Sequence, residues 1–359
     1  MKLLVLSYFY PPQKGIGGKR VHRFVSRLPA LGIDPIVLTT PLPPKADCDL
    51  AQATDADGVV VDRQYVPEWF WRLYHGSQGS EYHPGPLARV FSQMGRIVGP
   101  PIDGKSWLAP FALRRALFLA EEHRVGAVFS TSAPYSSHLV AMQVAKRLSL
   151  PFYADLRDPW SFNFLFNKRS PRLRARDRAA EEQVFSAARK VFFAAKATEN
   201  KYAELYPAHR DKLQTIYSGF DKDPPHAPRA PWPAPSRPRV AIAHFGRFYG
   251  VRRLDRVLSS FRTAVETQKL TPKDIQILIL GDVAQADVAK LQEMGLSAFV
   301  VVSNMMPYEE GLGVLRGAEA LFLCDYDLEP YFVPGKLFDY LRVRKPIFAL
   351  SANDELRAL

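Results

Sequence analysis

The sequence predicts an α/β protein made of two doubly wound parallel-sheet domains facing a cleft, and three observations predict it. The chain has 359 residues, more than one hydrophobic core usually serves. Short apolar runs alternate with longer stretches whose apolar residues recur at helical spacing, the pattern of strand–helix–strand units. Residues 224–238 hold seven prolines, which neither a helix interior nor a central strand accepts, so a stiff linker separates two such arrays. The expected division is an N-terminal domain over 1–218, a linker over 219–238 and a C-terminal domain over 239–359.

The elements follow in order. The apolar stretch that opens the chain is too short for a signal peptide, and Pro11, Pro12 and glycines follow at once. Leu3–Ser7 therefore reads as a first strand. Helical spacing appears at Lys19–Leu31, Phe111–His123, Tyr135–Leu148 and Arg178–Arg189. Strands fit Pro35–Thr39, Gly58–Val61, Ala127–Ser130, Pro151–Ala154, Lys190–Ala194 and Leu213–Tyr217. Residues 63–104 break the alternation. They hold Trp69, Phe70, Trp71, Tyr74, Tyr82 and Phe91 among arginines, interrupted by Pro84, Pro86, Pro100 and Pro101. So aromatic a segment is a folded insertion, with short helices near Glu68–His75 and Pro86–Ile97. Beyond the linker, strands fit Val240–Phe245, Ile275–Leu280, Phe299–Val302, Ala320–Cys324 and Pro346–Leu350. Helices fit Leu254–Thr267, Gln285–Met294, Tyr308–Arg316 and Lys336–Val343.

Composition narrows the class. The 47% hydrophobic and 23% charged fractions are those of an ordinary globular protein, and no apolar run is long enough to span a bilayer. Cys48 and Cys324 are the only cysteines. They fit neither a metal spacing nor a disulfide framework, which suits a reducing compartment. A net charge of +12 points to an acidic partner. The run Lys168–Arg178 is a solvated face or a contact for anionic lipid headgroups. No nucleic-acid fold signature accompanies it.

The most telling motif is Val333-Pro-Gly-Lys-Leu-Phe-Asp-Tyr-Leu341. The Pro-Gly turn sets Lys336 in the first turn of a helix, where backbone N–H groups attract anions, and Asp339 follows three residues later. His244-Phe-Gly-Arg-Phe-Tyr-Gly-Val-Arg-Arg253 places Gly246 and Arg247 after a strand and Arg252 at a helix start. Guanidinium groups bind phosphate bidentately and lower the barrier to departure of a nucleoside diphosphate. Ligands of open α/β sheets lie beyond the carboxyl ends of the strands, and both motifs sit there. Gly17 and Gly18 precede Lys19 and Arg20; they either admit a ligand to the backbone or make a plain turn. Thr131-Ser-Ala-Pro-Tyr-Ser-Ser-His138 puts Ser132 and His138 at a strand end, Ser132 as a helix cap or ligand contact and His138 on the helix surface. In Asp155-Leu-Arg-Asp-Pro-Trp160, Arg157 neutralises Asp158, or one of Asp155 and Asp158 orients or deprotonates an acceptor hydroxyl. Four Asp-x-Asp triplets occur, at Asp47, Asp55, Asp221 and Asp325, and their scatter reads as loop composition and not as a metal site.

Together these residues resemble the GT-B glycosyltransferases of family 4, nearest the bacterial polysaccharide-biosynthesis branch. The opening strand with Pro-Pro and Gly-Gly, the Thr-Ser-x-Pro-Tyr segment, Asp-x-Arg-Asp-Pro-Trp, Gly219-Phe-Asp221 and Pro-Gly-Lys-Leu-Phe-Asp-Tyr-Leu carry the likeness, in the family's order. The resemblance implies two Rossmann-like domains, with the donor in the second and the acceptor in the first. Donor contacts fall to Gly17, Gly18, Gly246, Arg247, Arg252, Lys336, Leu337 and Asp339, the last standing where the family has Glu. Asp155, Arg157 and Asp158 are the catalytic candidates; Ser132 and His138 lie on the acceptor side. The resemblance also implies a metal-independent, retaining reaction with no cofactor, a nucleotide-sugar donor and a glycan or lipid-linked acceptor. Location would be cytoplasmic, either free or peripheral on the inner face of the cytoplasmic membrane. Tyr331 stands where the family often has an earlier Glu, and the chain stops soon after the Ile347 strand where relatives add helices. Both departures favour the alternative of a non-catalytic nucleotide-sugar or glycan-binding module, or an assembly partner of a transferase.

Overall fold

The computed structural model describes the chain outside residues 14–15, 43–47, 49–57, 75–76, 79–81, 84, 99–101, 164–168, 222–227, 234–236, 247, 249–253, 282, 305 and 325–330. It divides into two units, Met1–Tyr217 and Ser218–Leu359.

In the first unit the strands are β1 (Lys2–Leu6), β2 (Asp34–Leu38), β3 (Val60–Asp62), a short antiparallel pair β4 (Ser77–Gln78) and β5 (Tyr82–His83), β6 (Ala127–Thr131), β7 (Phe152–Leu156), β8 (Lys190–Phe193) and β9 (Leu213–Thr215). The helices are α1 (Ile16–Val25), α2 (Glu68–Tyr74), α3 (Pro86–Val98), α4 (Ala109–Glu122), α5 (Ser136–Leu148), α6 (Pro171–Ala187) and α7 (Lys196–Leu205). The parallel sheet runs β3-β2-β1-β6-β7-β8-β9. Alternation along β1 explains the layering. Leu4 and Leu6 join the large core under α4–α7, whereas Leu3 and Val5 join Val21 and Val25 of α1 on the other face. A strand covered on both faces reads as a continuous apolar run, which is why β1 was legible.

The second unit contains β10 (Val240–Phe245), β11 (Ile275–Leu280), β12 (Val300–Ser303), β13 (Ala320–Cys324) and β14 (Ile347–Leu350), with α8 (Leu254–Thr267), α9 (Gln285–Glu293), α10 (Tyr308–Gly317), α11 (Gly335–Val343) and α12 (Asp354–Ala358). Its parallel sheet runs β12-β11-β10-β13-β14. Ala243, Leu321 and Leu323 pack with Leu312, Leu337 and Tyr340, while Ile277 and Ile279 pack with Leu258 and Leu291. Both sheets are α/β and doubly wound, as expected, and each expected strand is present within two residues.

Two local expectations are corrected. The first helix ends at Val25 because Pro29 cannot continue it; a 3-10 turn, Pro29–Leu31, follows and closes on Gly32 at φ 73°. The helix expected from Arg178 begins at Pro171. Ser170 caps it by accepting from Leu173 N, and Pro171 occupies the first turn, where a missing N–H costs nothing. The basic run is therefore mostly helix, from Pro171 on, with Arg169 tied to Asp177 at 2.6 Å. The described part of the proline-rich segment lies on the second unit. Arg316 Nη1 donates to Pro228 O at 3.2 Å, Arg237 pairs with Glu319 at 2.6 Å, and Trp232 packs against the α10 and α11 core. A Cβ on Gly313 would stand 3.1 Å from Ala230 N, so α10 carries glycine where the segment crosses it.

Described aromatic residues of the 63–104 segment pack on the first core. Phe70, Trp71 and Tyr74 of α2 are buried in the first core, Phe70 lies 4.7 Å from Phe111 of α4, and Phe91 of α3 stacks on Trp107 at 5.0 Å.

Candidate functional site

In each sheet the strand order reverses beside the first strand, at β1/β6 and at β10/β13. Such switch points open a crevice at the carboxyl ends. Each unit is taken by itself.

In the first unit, Leu6 pairs with Ser130, and Thr131 with Asp155. The segments after β1, β6 and β7 therefore leave the sheet side by side. Gly18 lets the first turn of α1 lie against the segment after β1; a Cβ there would be 3.1 Å from Tyr10 Cα. A Cβ on Gly17 would be 2.9 Å from Phe9 Cδ2 and 3.1 Å from Arg157 Nη1. Close packing alone thus accounts for both glycines.

Asp155 points inward. It is fully buried, Arg20 Nη2 donates to its Oδ1 at 2.7 Å and Nε to its Oδ2 at 3.1 Å, and Thr131 Oγ1 donates to Oδ2 at 2.8 Å. Arg20 is itself 2% exposed. This pair ties α1 to β7 and leaves Asp155 no path to an acceptor. Asp158 differs: its side chain is 31% exposed and takes Arg157 Nη2 at 2.8 Å and Nε at 3.1 Å. Trp160, wholly buried and stacked on Tyr135 at 5.1 Å, anchors the loop that carries Arg157 and Asp158. Trp160 N donates to Tyr202 OH at 2.8 Å, and Tyr202 OH in turn donates to the buried Glu181.

Two acceptor-side expectations are corrected. Ser132 is 2% exposed and does not cap α5; its Oγ donates to Asp155 O at 3.4 Å. The cap comes from Asp103, whose Oδ2 accepts from Ser136 N at 2.8 Å and whose Oδ1 accepts from Ser136 Oγ at 2.9 Å. His138 is fully buried, not on the helix surface. Its Nδ1 lies 2.7 Å from Ser130 Oγ, its ring centroid 6.4 Å from that of Trp160, and burial pushes its pKa down to about 4. A neutral core histidine does not face an acceptor.

Lys105 is a residue that the sequence pattern missed. Its ammonium lies 5.3 Å from the Tyr8 ring centroid, just past β1, and 4.9 Å from that of Tyr74, within cation–π range. Burial lowers its pKa, and Asp103 partly opposes the shift. The unit that holds it is the more cationic of the two. Met1–Tyr217 holds 30 of the 48 basic and 19 of the 36 acidic residues, a net +11, which leaves 18 and 17, a net +1, for Ser218–Leu359.

In the second unit Pro334 precedes the first turn of α11, which carries Lys336. Lys336 is 8% exposed and its Nζ lies 2.9 Å from His244 Nε2 at the end of β10. Gly246, at φ 131°, leaves the space this side chain occupies: a Cβ there would be 2.7 Å from Lys336 Nζ. Tyr340 closes the switch point from below, accepting from Phe245 N at 3.0 Å and donating to Phe322 O at 3.1 Å. Asp339 Oδ1 accepts from Tyr308 OH at 2.5 Å on a partly exposed face. Lys336, Gly246 and Asp339 are thus brought to one edge. Leu337 is corrected: it is 4% exposed in the α10–α11 core and its N–H donates to Pro334 O at 2.9 Å, so it packs the helix. Arg247 and Arg252 lie outside the described residues.

No family model matches the sequence, and no curated protein matches it. Solved structures do. HepE of Anabaena, in complex with UDP, aligns over 97% of this chain and 80% of its own at 13% identity and TM-score 0.58. The sucrose-phosphate synthase of Thermosynechococcus elongatus aligns over the same shares, 97% and 80%, at 12% identity and TM-score 0.64. The lipopolysaccharide outer core galactosyltransferase WaaB, in its apo form, aligns over 97% and 80% at 12% identity and TM-score 0.53.

The fold is GT-B.

The GT-B assignment rests on two parallel sheets of seven and five strands and on structural alignment over 97% of the chain. Among the described residues of this GT-B chain no helix is long and apolar enough to cross a membrane, and no group of three or more His, Cys, Asp or Glu is placed to hold a metal ion.

Proposed function

We propose that this GT-B protein is a glycosyltransferase that moves a sugar from a nucleotide-sugar to a hydroxyl of a lipid-linked or glycan acceptor. The single observation that carries the reading is the meeting of Lys336 with Gly246 at the carboxyl edge of β10, with Nζ 2.7 Å from where a Cβ would stand. It puts a nearly buried cation where a glycine backbone opens the sheet edge, the mixture a diphosphate requires. HepE has been solved with UDP and with UDP-glucose, which supports a donor of that class.

In this reading Lys336 stabilises the charge that develops on the departing nucleoside diphosphate; Arg247 and Arg252 are assigned to the same role by the sequence motif alone. Asp339, held by Tyr308, takes ribose hydroxyls. No metal is required where fixed cations do this work, and retention of configuration goes with the family 4 resemblance. On the acceptor side Asp158 replaces Asp155 as the carboxylate that orients the hydroxyl, because Asp158 is the one that reaches solvent. The +11 charge of the first unit favours an anionic acceptor and peripheral contact with an anionic membrane on its cytoplasmic side.

The test is transfer from labelled UDP-, GDP-, ADP- and dTDP-sugars with chelator present. Turnover lost in Lys336→Ala supports the reading. Donor binding without transfer or hydrolysis supports the second reading, a non-catalytic binding module, which Tyr331 favours.

A further inference from the structure

His244 is fully buried at the penultimate position of β10. Its Nδ1 lies 2.9 Å from Phe322 O of β13. A carbonyl only accepts, so Nδ1 carries the proton. Its Nε2 lies 2.9 Å from Lys336 Nζ. An ammonium only donates, so Nε2 must present a lone pair. Both conditions are met by one form of the ring, the neutral Nδ1–H tautomer; an imidazolium would set an N–H against the ammonium. Phe248, 4.5 Å away between centroids, and Phe322, 6.1 Å away, hold the ring plane.

We infer that His244 is a positioning residue for Lys336: its neutral Nδ1–H tautomer, fixed by the Phe322 carbonyl, aims the ammonium at the diphosphate of the donor. The inference rests on the donor-binding reading above. A lysine has a long stem with several rotatable bonds, and holding one of its N–H groups in advance reduces the ordering that ligand binding would otherwise require. The same ring fixes the ammonium against the neighbouring strand end, since β10 and β13 are the two strands of the switch point. Gly246 does the complementary work by leaving room for the stem. His244, Gly246 and Lys336 form one device, two parts of which serve the third.

The experiment is a double-mutant cycle on nucleoside diphosphate affinity. Titration calorimetry with UDP, GDP, ADP and dTDP is run on the full chain as wild type, His244→Phe, His244→Gln, Lys336→Met and the two double variants, with denaturant midpoints as a folding control. His244→Phe is expected to weaken the preferred diphosphate about tenfold, and to have little further effect once Lys336 is Met. His244→Gln, whose amide oxygen can accept from Lys336, is expected to recover part of the loss. A general structural role would instead give additive losses with no recovery in Gln, which overturns the inference while leaving the donor reading intact. Nitrogen NMR of His244 supplies a readout that does not depend on ligand: a protonated Nε2 overturns the inference even where His244→Phe does not fold. A wild type that binds none of the four diphosphates overturns the donor reading and the inference with it.

Discussion

Replacing Gly246 by alanine strikes the second unit where backbone and side-chain demands coincide. At φ 131° an L-residue is strained, by about 1–3 kcal/mol. The new Cβ would also stand 2.7 Å from Lys336 Nζ and closer still to Cε, so the lysine must leave its place. A charge-assisted hydrogen bond is worth about 1.5–3 kcal/mol, which is about 10- to 150-fold in Kd. Gly295→Ala is the control: φ is 68° there and nothing lies within 4 Å of its Cβ, so it carries backbone strain without a collision. Both variants are expected to lose stability in denaturant titration, and Gly246→Ala alone is expected to lose nucleoside diphosphate affinity in calorimetry. Equal affinity in the two variants would refute the claim that Gly246 exists to seat Lys336.

Asp155→Asn strands the buried Arg20 and is expected to destabilise the fold by about 3–5 kcal/mol in denaturant titration, whereas Asp158→Asn, at a partly exposed pair, should cost under about 1 kcal/mol while reducing transfer. Removal of the remote cap by Asp103→Ala should lower stability by about 1–2 kcal/mol, read the same way. His138 has a folded pKa of about 4 against an ordinary 6.5, so its contribution is present in full above pH 6.5 and is lost as pH falls toward 4, when the unfolded chain takes up the proton. The loss is about 3 kcal/mol, and His138→Phe should flatten the decline of stability over that window. Glu181, raised by burial, acts with the opposite sign: its contribution is present at low pH and is lost as pH rises, so the comparison with wild type is what isolates His138.

How much of this was legible depends on where each determinant sits in the chain. The strands were legible because a parallel sheet covered on both faces needs unbroken apolar runs such as Leu3–Leu6. The α11 start was legible because Pro334 and Gly335 mark it locally. Asp155 and Asp158 look alike in sequence, yet Asp155 lies within β7 opposite Thr131 and Asp158 just past its end. Strand boundaries are uncertain by about two residues, and here that margin separates a buried tie from an exposed carboxylate. His138 and Leu337 were available to a stricter count of helical period. His138, Ala141 and Ala145 share one buried stripe of α5, and Leu337 and Tyr340 share one of α11. Asp103 gave no local signal, since it caps α5 from 33 residues upstream. Likewise the partner of Lys336 is His244, 92 residues away. Tertiary pairing of that kind leaves no periodicity to read.

The central claim is that Lys336 receives the donor's phosphates. A crystal structure with a bound nucleoside diphosphate tests it most directly. The account predicts a phosphate oxygen within about 3.2 Å of Lys336 Nζ while His244 still accepts from the same ammonium. A diphosphate seated elsewhere on the protein, with that ammonium making no contact to it, would contradict the account.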